Sequence, residues 1–240
     1  IGKALNFSLF ILKSFGLKDF KAYISTKPEK YVGTGKDWEM ATKVLTRAVK
    51  AEGLDYEIDE GGGVFYGPKI DLKVNDALGR EWQLSTIQFD FNLPERFGLE
   101  YIDEKGKPRK PLMVHRALLG SFERFFGVLI EHYAGAFPLW LSPVQVVVAP
   151  ISDKQLKYAT EFCDNLRGAD VRCELYNQNE TIGKKIREAE LQKVPYIVVI
   201  GQKEVDAEAV AVRKRSQGDL GQMKIEEFVE KIKEEIIDKK

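Results

Sequence analysis

The densest run of chemistry-bearing residues is Gly61-Gly62-Gly63-Val64-Phe65-Tyr66-Gly67-Pro68-Lys69-Ile70-Asp71. Its glycines let the main chain approach a ligand closely. Tyr66 offers a hydroxyl to an amine or alcohol, and Lys69 a cation to a carboxylate or phosphate. The spacing matches neither the dinucleotide-binding GxGxxG nor the phosphate-binding GxxxxGK[ST] pattern, so a glycine-rich turn before an ordinary strand explains it too. Further on, alternation over residues 82–91 sets Trp82, Leu84, Thr86 and Gln88 on one face and Gln83, Ser85 and Ile87 on the other. With Asp90 and Asn92 beside them, these polar residues line either a pocket or a solvent-facing edge.

His115-Arg116 falls where a strand-like run meets a helix, and side chains there project into clefts. A lone histidine is also at home in a core, and a zinc site needs partners. The other histidine, His132, lies far along the next helix. Gly120-Ser121-Phe122-Glu123-Arg124 places an arginine near a helix start, able to stack on a ring or fork onto phosphate oxygens. A surface Glu–Arg pair is the plainer alternative. Asn179 precedes a helix start carrying Lys184, Lys185 and Arg187, which suits a phosphate or a solvated face equally. Arg213-Lys214-Arg215 forms a second basic point, and Glu204 is an exposed acceptor able to read a base edge.

Two patterns of elements position these residues. Leu5, Leu9, Leu12 and Phe15 predict a helix that Gly16 ends, and residues 19–26 alternate as a strand. Asp37 is expected to cap a helix whose stripe is Trp38, Ala41, Val44, Leu45 and Ala48. Residues 70–74 and 82–91 around a turn at 75–79 predict an antiparallel hairpin, and 117–134 a long, mostly buried helix. From residue 144 strands and helices alternate: strands at 144–149, 171–175, 196–200 and 209–213, helices at 153–166, 182–192 and 225–237. That rhythm implies a compact α/β domain. Two domains follow, 1–142 and 143–240.

Composition narrows the class. With 44% hydrophobic residues and 37 charges of each sign, the chain is neither disordered nor drawn to polyanions at long range, so any nucleic-acid partner must meet a local site. No apolar run reaches the ~18–20 residues that span a bilayer. Cys163 and Cys173 fit no CxxC pattern, which predicts free buried thiols in a reducing compartment. The start, Ile1-Gly2-Lys3-Ala4-Leu5, reads like a helix interior without signal-peptide layout, so a segment of a longer cytoplasmic protein is expected.

FYGPKID, WQLSTIQFDFNLPERF, HRALLGSFERFFGVLIEHYAGAFPLWLSPVQV and TIGKKIREAELQKVPYIVVIG together resemble threonyl-tRNA synthetase. The likeness runs over essentially the whole chain and points to that family's C-terminal part. It implies an α+β class II catalytic portion with an antiparallel sheet, followed by an α/β anticodon-binding domain with a mixed sheet. The implied chemistry is activation of L-threonine by ATP with Mg2+, then transfer to tRNA(Thr), in a homodimer. LGSFER resembles class II motif 3, which makes Arg124 the catalytic arginine, lying against the adenine ring and γ-phosphate. Tyr66 and Gln88 match positions around threonine, with Lys69 in the same motif. Gln83, Thr86 and Ser121 match the ATP site. His115 matches one of three ligands of a Zn2+ that reads the substrate hydroxyl, the other two lying outside this chain. Asn179, Glu204 and Arg213, with Lys184 and Arg187 nearby, match anticodon contacts.

The chain departs from the family pattern in two ways. Leu84-Ser85 stands where a cysteine and a small residue usually follow WQ, which bears on sensitivity to inhibitors that use that neighbourhood. Motif 1, motif 2 with its α-phosphate arginine, two zinc ligands and the editing domain have no counterpart, so the chain alone is expected to be inactive. A non-catalytic tRNA-binding fragment or paralogue is the alternative. The FYGPKI block and His115-Arg116 argue against a prolyl or histidyl enzyme.

Overall fold

Apolar spacing sets the first elements, and the computed structural model, which describes residues 1–239, bears most of them out. Helix α1 (Gly2–Ser14) buries Leu5, Leu9 and Leu12, and strand β1 (Phe20–Ser25) buries Ala22 and Ile24. Helix α2 (Gly35–Ala51) starts earlier than expected. Thr34, not Asp37, is its N-cap, and Asp37 closes the capping box by accepting from the Thr34 amide at 2.9 Å. The buried stripe is Trp38, Ala41, Leu45 and Val49.

Strand β2 (Tyr56–Asp59) runs parallel to β1, and β3 (Lys69–Asn75) and β4 (Glu81–Asp90) form the expected hairpin. A four-residue helix α3 (Leu93–Arg96) and a minimal hairpin of β5 (Tyr101–Ile102) and β6 (Pro108–Arg109) lead to β7 (Met113–Ala117). The sheet order is β2-β1-β3-β4-β7, antiparallel except for β1 and β2. Residue 117 therefore ends a strand. The helix expected from there, α4 (Phe122–Tyr133), begins five residues later and buries only Phe125, Val128 and Leu129, leaving Phe122, Phe126 and Ile130 exposed. The apolar run was long because an edge strand and a half-exposed helix share it.

Two compact units divide between His132 and Tyr133. In the second, β8 (Val146–Pro150) lies between β9 (Cys173–Leu175) and β10 (Tyr196–Ile200), both parallel to it, and β11 (Ala209–Lys214) and β12 (Gly218–Lys224) continue antiparallel. Every β8 residue is buried, as a central strand covered on both faces must be. Helices α5 (Leu156–Gly168) and α8 (Ile225–Ile237) pack on one face through Phe162, Leu166, Phe228 and Ile232. Helix α6 (Ile182–Leu191) covers Val147, Ala149 and Ile197 on the other. The short α7 (Gln202–Asp206) and β12 escaped the sequence reading, since GDLGQMK carries two glycines and little apolar alternation.

The β3–β4 turn is organised by Asp76. Its carboxylate accepts from the Leu78 and Arg80 amides (both 2.9 Å), Arg80 Nε (2.6 Å) and Trp82 Nε1 (2.8 Å). Burial opposes its ionisation, but these four donors outweigh that and hold the carboxyl well below the usual range. A carboxyl depressed on folding stabilises fully above its unfolded pKa of about 3.9 and loses that contribution as pH falls below it. Asp76→Asn is therefore expected to lower Tm at pH 7, with the gap to wild type closing between about pH 5 and pH 2. Thermal melts across that range check this, and a pH-independent gap would refute it.

Candidate active site

One irregularity sets which side chains share a face. Antiparallel pairing places Lys69 opposite Gln88, Asp71 opposite Thr86, and Gln88 opposite His115. Between Leu72 and Lys73 the register shifts, so Lys73 faces Gln83 while Leu72 faces Ser85, and Leu84 is the extra residue. This bulge turns Gln83 onto the face of Thr86, correcting the strict alternation that put them on opposite sides. Gln83 Nε2 donates to Thr86 Oγ1 at 2.8 Å and to Asp71 Oδ1 at 2.7 Å. The opposite face is apolar and buried: Ile70, Leu72, Val74, Ile87 and Phe89. Leu84 is itself buried.

On the polar face the side chains form two linked groups. Asp71 takes the Lys69 ammonium at 2.6 Å on one oxygen and the Thr86 hydroxyl at 2.6 Å on the other. Tyr66 donates its hydroxyl to Gln88 Oε1 at 3.1 Å, and Gln88 Nε2 donates to the Gly67 carbonyl at 3.3 Å. The His115 ring stands edge-on to Tyr66, and its Nε2 lies 2.7 Å from Asp90 Oδ2. Asp90 is buried and accepts the Asn92 and Leu93 amides at 2.7 and 2.9 Å. Burial works against its charge, but His115 and these amides prevail and lower its pKa. An ionised carboxylate only accepts, so Nε2 carries the proton and a neutral His115 ring keeps its lone pair on Nδ1. The sequence had marked Asp90 only as a hint and Asp71 not at all as a site residue. Their signal was an acid in register with polar neighbours.

Beyond β7 the chain passes through Gly120 (φ +67°), with the Ser85 hydroxyl donating to the Leu118 carbonyl. Ser121 Oγ accepts the Arg124 amide at 3.2 Å, so this hydroxyl helps cap α4. Arg124 is exposed and donates to the Gln83 carbonyl at 3.3 Å. Its guanidinium sits 5.7 Å from the Trp82 ring, as does that of Arg80. A cleft of about 190 Å³ opens between Arg80, Trp82, Glu123, Arg124 and Glu131. Among the described residues no group of three His, Cys, Asp or Glu can hold a metal. His115 and Asp90 do not hold zinc by themselves.

In the second unit the expected nucleic-acid residues separate. Asn179 and Arg187 are exposed, and Lys184 pairs with Glu180 at 2.6 Å. Lys185 does not join them. It is buried, donates to the Pro150 carbonyl at 3.0 Å, and burial lowers its pKa. Glu204 is a half-buried capping residue rather than an exposed acceptor, its Oε2 taking the Gly201 amide at 2.9 Å. The basic point 213–215 also divides. Arg213 reaches Asp219 at 3.8 Å, Lys214 pairs with Glu235 at 2.9 Å, and Arg215 donates to the Ala136, Phe137 and Lys193 carbonyls.

Gly67 holds Tyr66 in place. A Cβ there would stand 1.9 Å from the Phe89 carbonyl oxygen, which is main chain and cannot swing aside. Gly67→Ala is expected to destabilise the chain by about 1–3 kcal/mol and to break the Tyr66–Gln88 bond. Urea unfolding checks the first effect and the Tyr66 ring resonances the second.

Comparison with known proteins bears on the family and the fold. A family model described as the tRNA synthetase class II core domain (G, H, P, S and T) matches residues 9–133, and one described as an anticodon binding domain matches residues 145–235. Threonine--tRNA ligase of Sulfurihydrogenibium sp. (strain YO3AOP1) is 55% identical over 239 residues, covering 100% of this chain and 37% of its own length. That of Aquifex aeolicus (strain VF5) is 50% identical over 239 residues, with 100% and 38% covered. The chain thus spans less than two fifths of the length of these relatives. The structure of the RNA binding domain of threonyl-tRNA synthetase from Cryptosporidium parvum Iowa II is similar at TM-score 0.90 and 38% identity, over 97% of this chain and 59% of that one. Prolyl-tRNA synthetase from the same organism, at 21% identity and TM-score 0.60, shares the fold. With the core-domain model covering over half its residues and threonine--tRNA ligases homologous along its full length, this chain belongs to the class II tRNA synthetases.

Proposed function

We propose that the chain supplies the substrate face and the anticodon-reading domain of a cytoplasmic, homodimeric threonine–tRNA ligase. The observation that carries this is the single polar face uniting Tyr66, Lys69, Gln83, Thr86, Gln88 and His115 beside Arg124. In the reaction, the threonine carboxylate attacks the ATP α-phosphorus and pyrophosphate leaves. The terminal ribose hydroxyl of tRNA(Thr) then attacks the threonyl carbonyl of the adenylate, forming the ester as the acyl–phosphate bond breaks and AMP leaves.

Tyr66, Gln88 and His115 surround the amino acid, where hydrogen-bonding groups select a substrate hydroxyl over an isosteric methyl. The Lys69–Asp71 pair fixes the orientation of Thr86 and Gln83, which line the nucleotide side with Ser121. Arg124 lies against the adenine ring and γ-phosphate, and its planar cation offsets charge developing on pyrophosphate. ATP enters as its Mg2+ complex, in which the cation offsets part of the triphosphate's charge. His115 would supply one ligand to a zinc ion, its Nε2 being held by Asp90, with the other ligands outside this chain, and such an ion would act as a Lewis acid toward the substrate hydroxyl. Asn179, Lys184, Arg187, Glu204 and Arg213 meet the anticodon, Glu204 through the oxygen not engaged by Gly201.

A chimera tests the reading, with this chain replacing the matching 239 residues of the Sulfurihydrogenibium relative. Threonine-dependent ATP–pyrophosphate exchange is expected from the chimera, with serine, valine and proline as controls, and none from the 240-residue chain alone. A folded chimera that activates proline, or nothing, would overturn it. Tight tRNA(Thr) binding without exchange would instead favour the non-catalytic reading. Within an active chimera, Arg124→Ala is expected to reduce kcat about 100-fold or more.

A further inference from the structure

Cys163 on α5 and Cys173 at the head of β9 have no role in the proposed function, yet they meet. Both are free and buried, and their Sγ atoms lie 2.7 Å apart, about 0.7 Å beyond a disulfide bond. Arg167, one turn beyond Cys163, donates to the Cys173 carbonyl at 3.2 Å and places a guanidinium beside the pair. The hydrogen bond from the neighbouring thiol and, after it, that cation favour the thiolate on Cys163, the state that oxidises. The proton and charge belong to the pair jointly. Cys173 lines an open cleft of about 440 Å³ with Val144, Arg167, Arg172 and Glu174, which brings a small oxidant to one side of the pair.

We propose that Cys163 and Cys173 form a reversible disulfide when the protein meets a peroxide. The thiolate of the pair attacks a peroxide oxygen, the O–O bond breaks, and hydroxide leaves behind a sulfenic acid. The second sulfur then attacks the sulfenic sulfur, the S–O bond breaks, and water departs as the remaining thiol proton is released. In sum, two thiols and hydrogen peroxide give one disulfide and two waters, and a dithiol reductant reverses the change. The bond ties β9, the edge strand of its sheet, to α5 and closes a short loop.

The test treats the folded full chain with hydrogen peroxide, then alkylates it under denaturing conditions. Because the chain has two cysteines, the expected product is a monomer lighter by two hydrogens that takes no alkyl group. Dithiothreitol should restore both alkylation sites, and peptide mapping should join 163 to 173. The oxidised chain should melt higher by on the order of 5–15 °C. Cys173→Ser should stop at a trappable sulfenic acid or resist oxidation, giving no internal cross-link. The wild-type mass keeps the test decisive if that variant fails to fold. Two freely alkylating thiols after treatment, sulfinic acid as the main product, or chain-to-chain dimers would each overturn the proposal.

Discussion

The extra residue on β4 decides what the first sheet can present. Strand geometry alone permits alternation, and strict alternation would send Gln83 into the core beside Ile70 and Ile87 while carrying an apolar neighbour to the surface. By leaving Leu84 unpaired and buried, the bulge keeps the apolar set inward and delivers Gln83 outward within reach of Thr86 and Asp71. Everything on the polar face is reckoned from that point. The Arg124 guanidinium bonds to the carbonyl of Gln83, and the turn at Gly120 runs over the main chain of Gln83 and Leu84.

Around that point, few polar atoms lack a partner. Asp71 is shared by an ammonium, an amide and a hydroxyl, and Asp90 by an imidazole and two main-chain amides. Buried carboxylates are tolerated only when so surrounded, because desolvation of an unpaired charge is severe. The same surroundings restrict rotamers, so a ligand meets side chains already aimed. Preorganisation of this kind lets binding energy act on the reacting atoms instead of on ordering the site.

Much of this was legible in the sequence, and its gaps have physical causes. The hairpin, the second unit's strand–helix rhythm and strand β10 follow from periodicity, which tertiary packing reinforced. The bulge was invisible because inserting one residue into a run of good strand formers changes no propensity. Asp37 was mistaken for the cap because Thr34 and Asp37 both suit a helix start, and only the reciprocal bonds distinguish them. Lys185 and Arg215 were read as surface cations. Each instead buries its alkyl stem and satisfies carbonyls, a choice made by neighbours distant in sequence. The family motifs located the polar residues. Their hydrogen-bond order, with Asp71 and Asp90 at the centres, required the fold.

Trp82 occupies an unusual position in this arrangement. Trp38 is sealed in the core with its indole bonded to the Val32 carbonyl, and Trp140 belongs to the other unit. Trp82 has guanidinium groups on hand from both Arg80 and Arg124, its indole N–H fixed by Asp76. Indole emission responds to nearby charge, so any ligand that draws Arg124 away changes the light that Trp82 gives. The fold has placed an intrinsic fluorophore beside an exposed arginine, and the state of that arginine can be followed optically without a label.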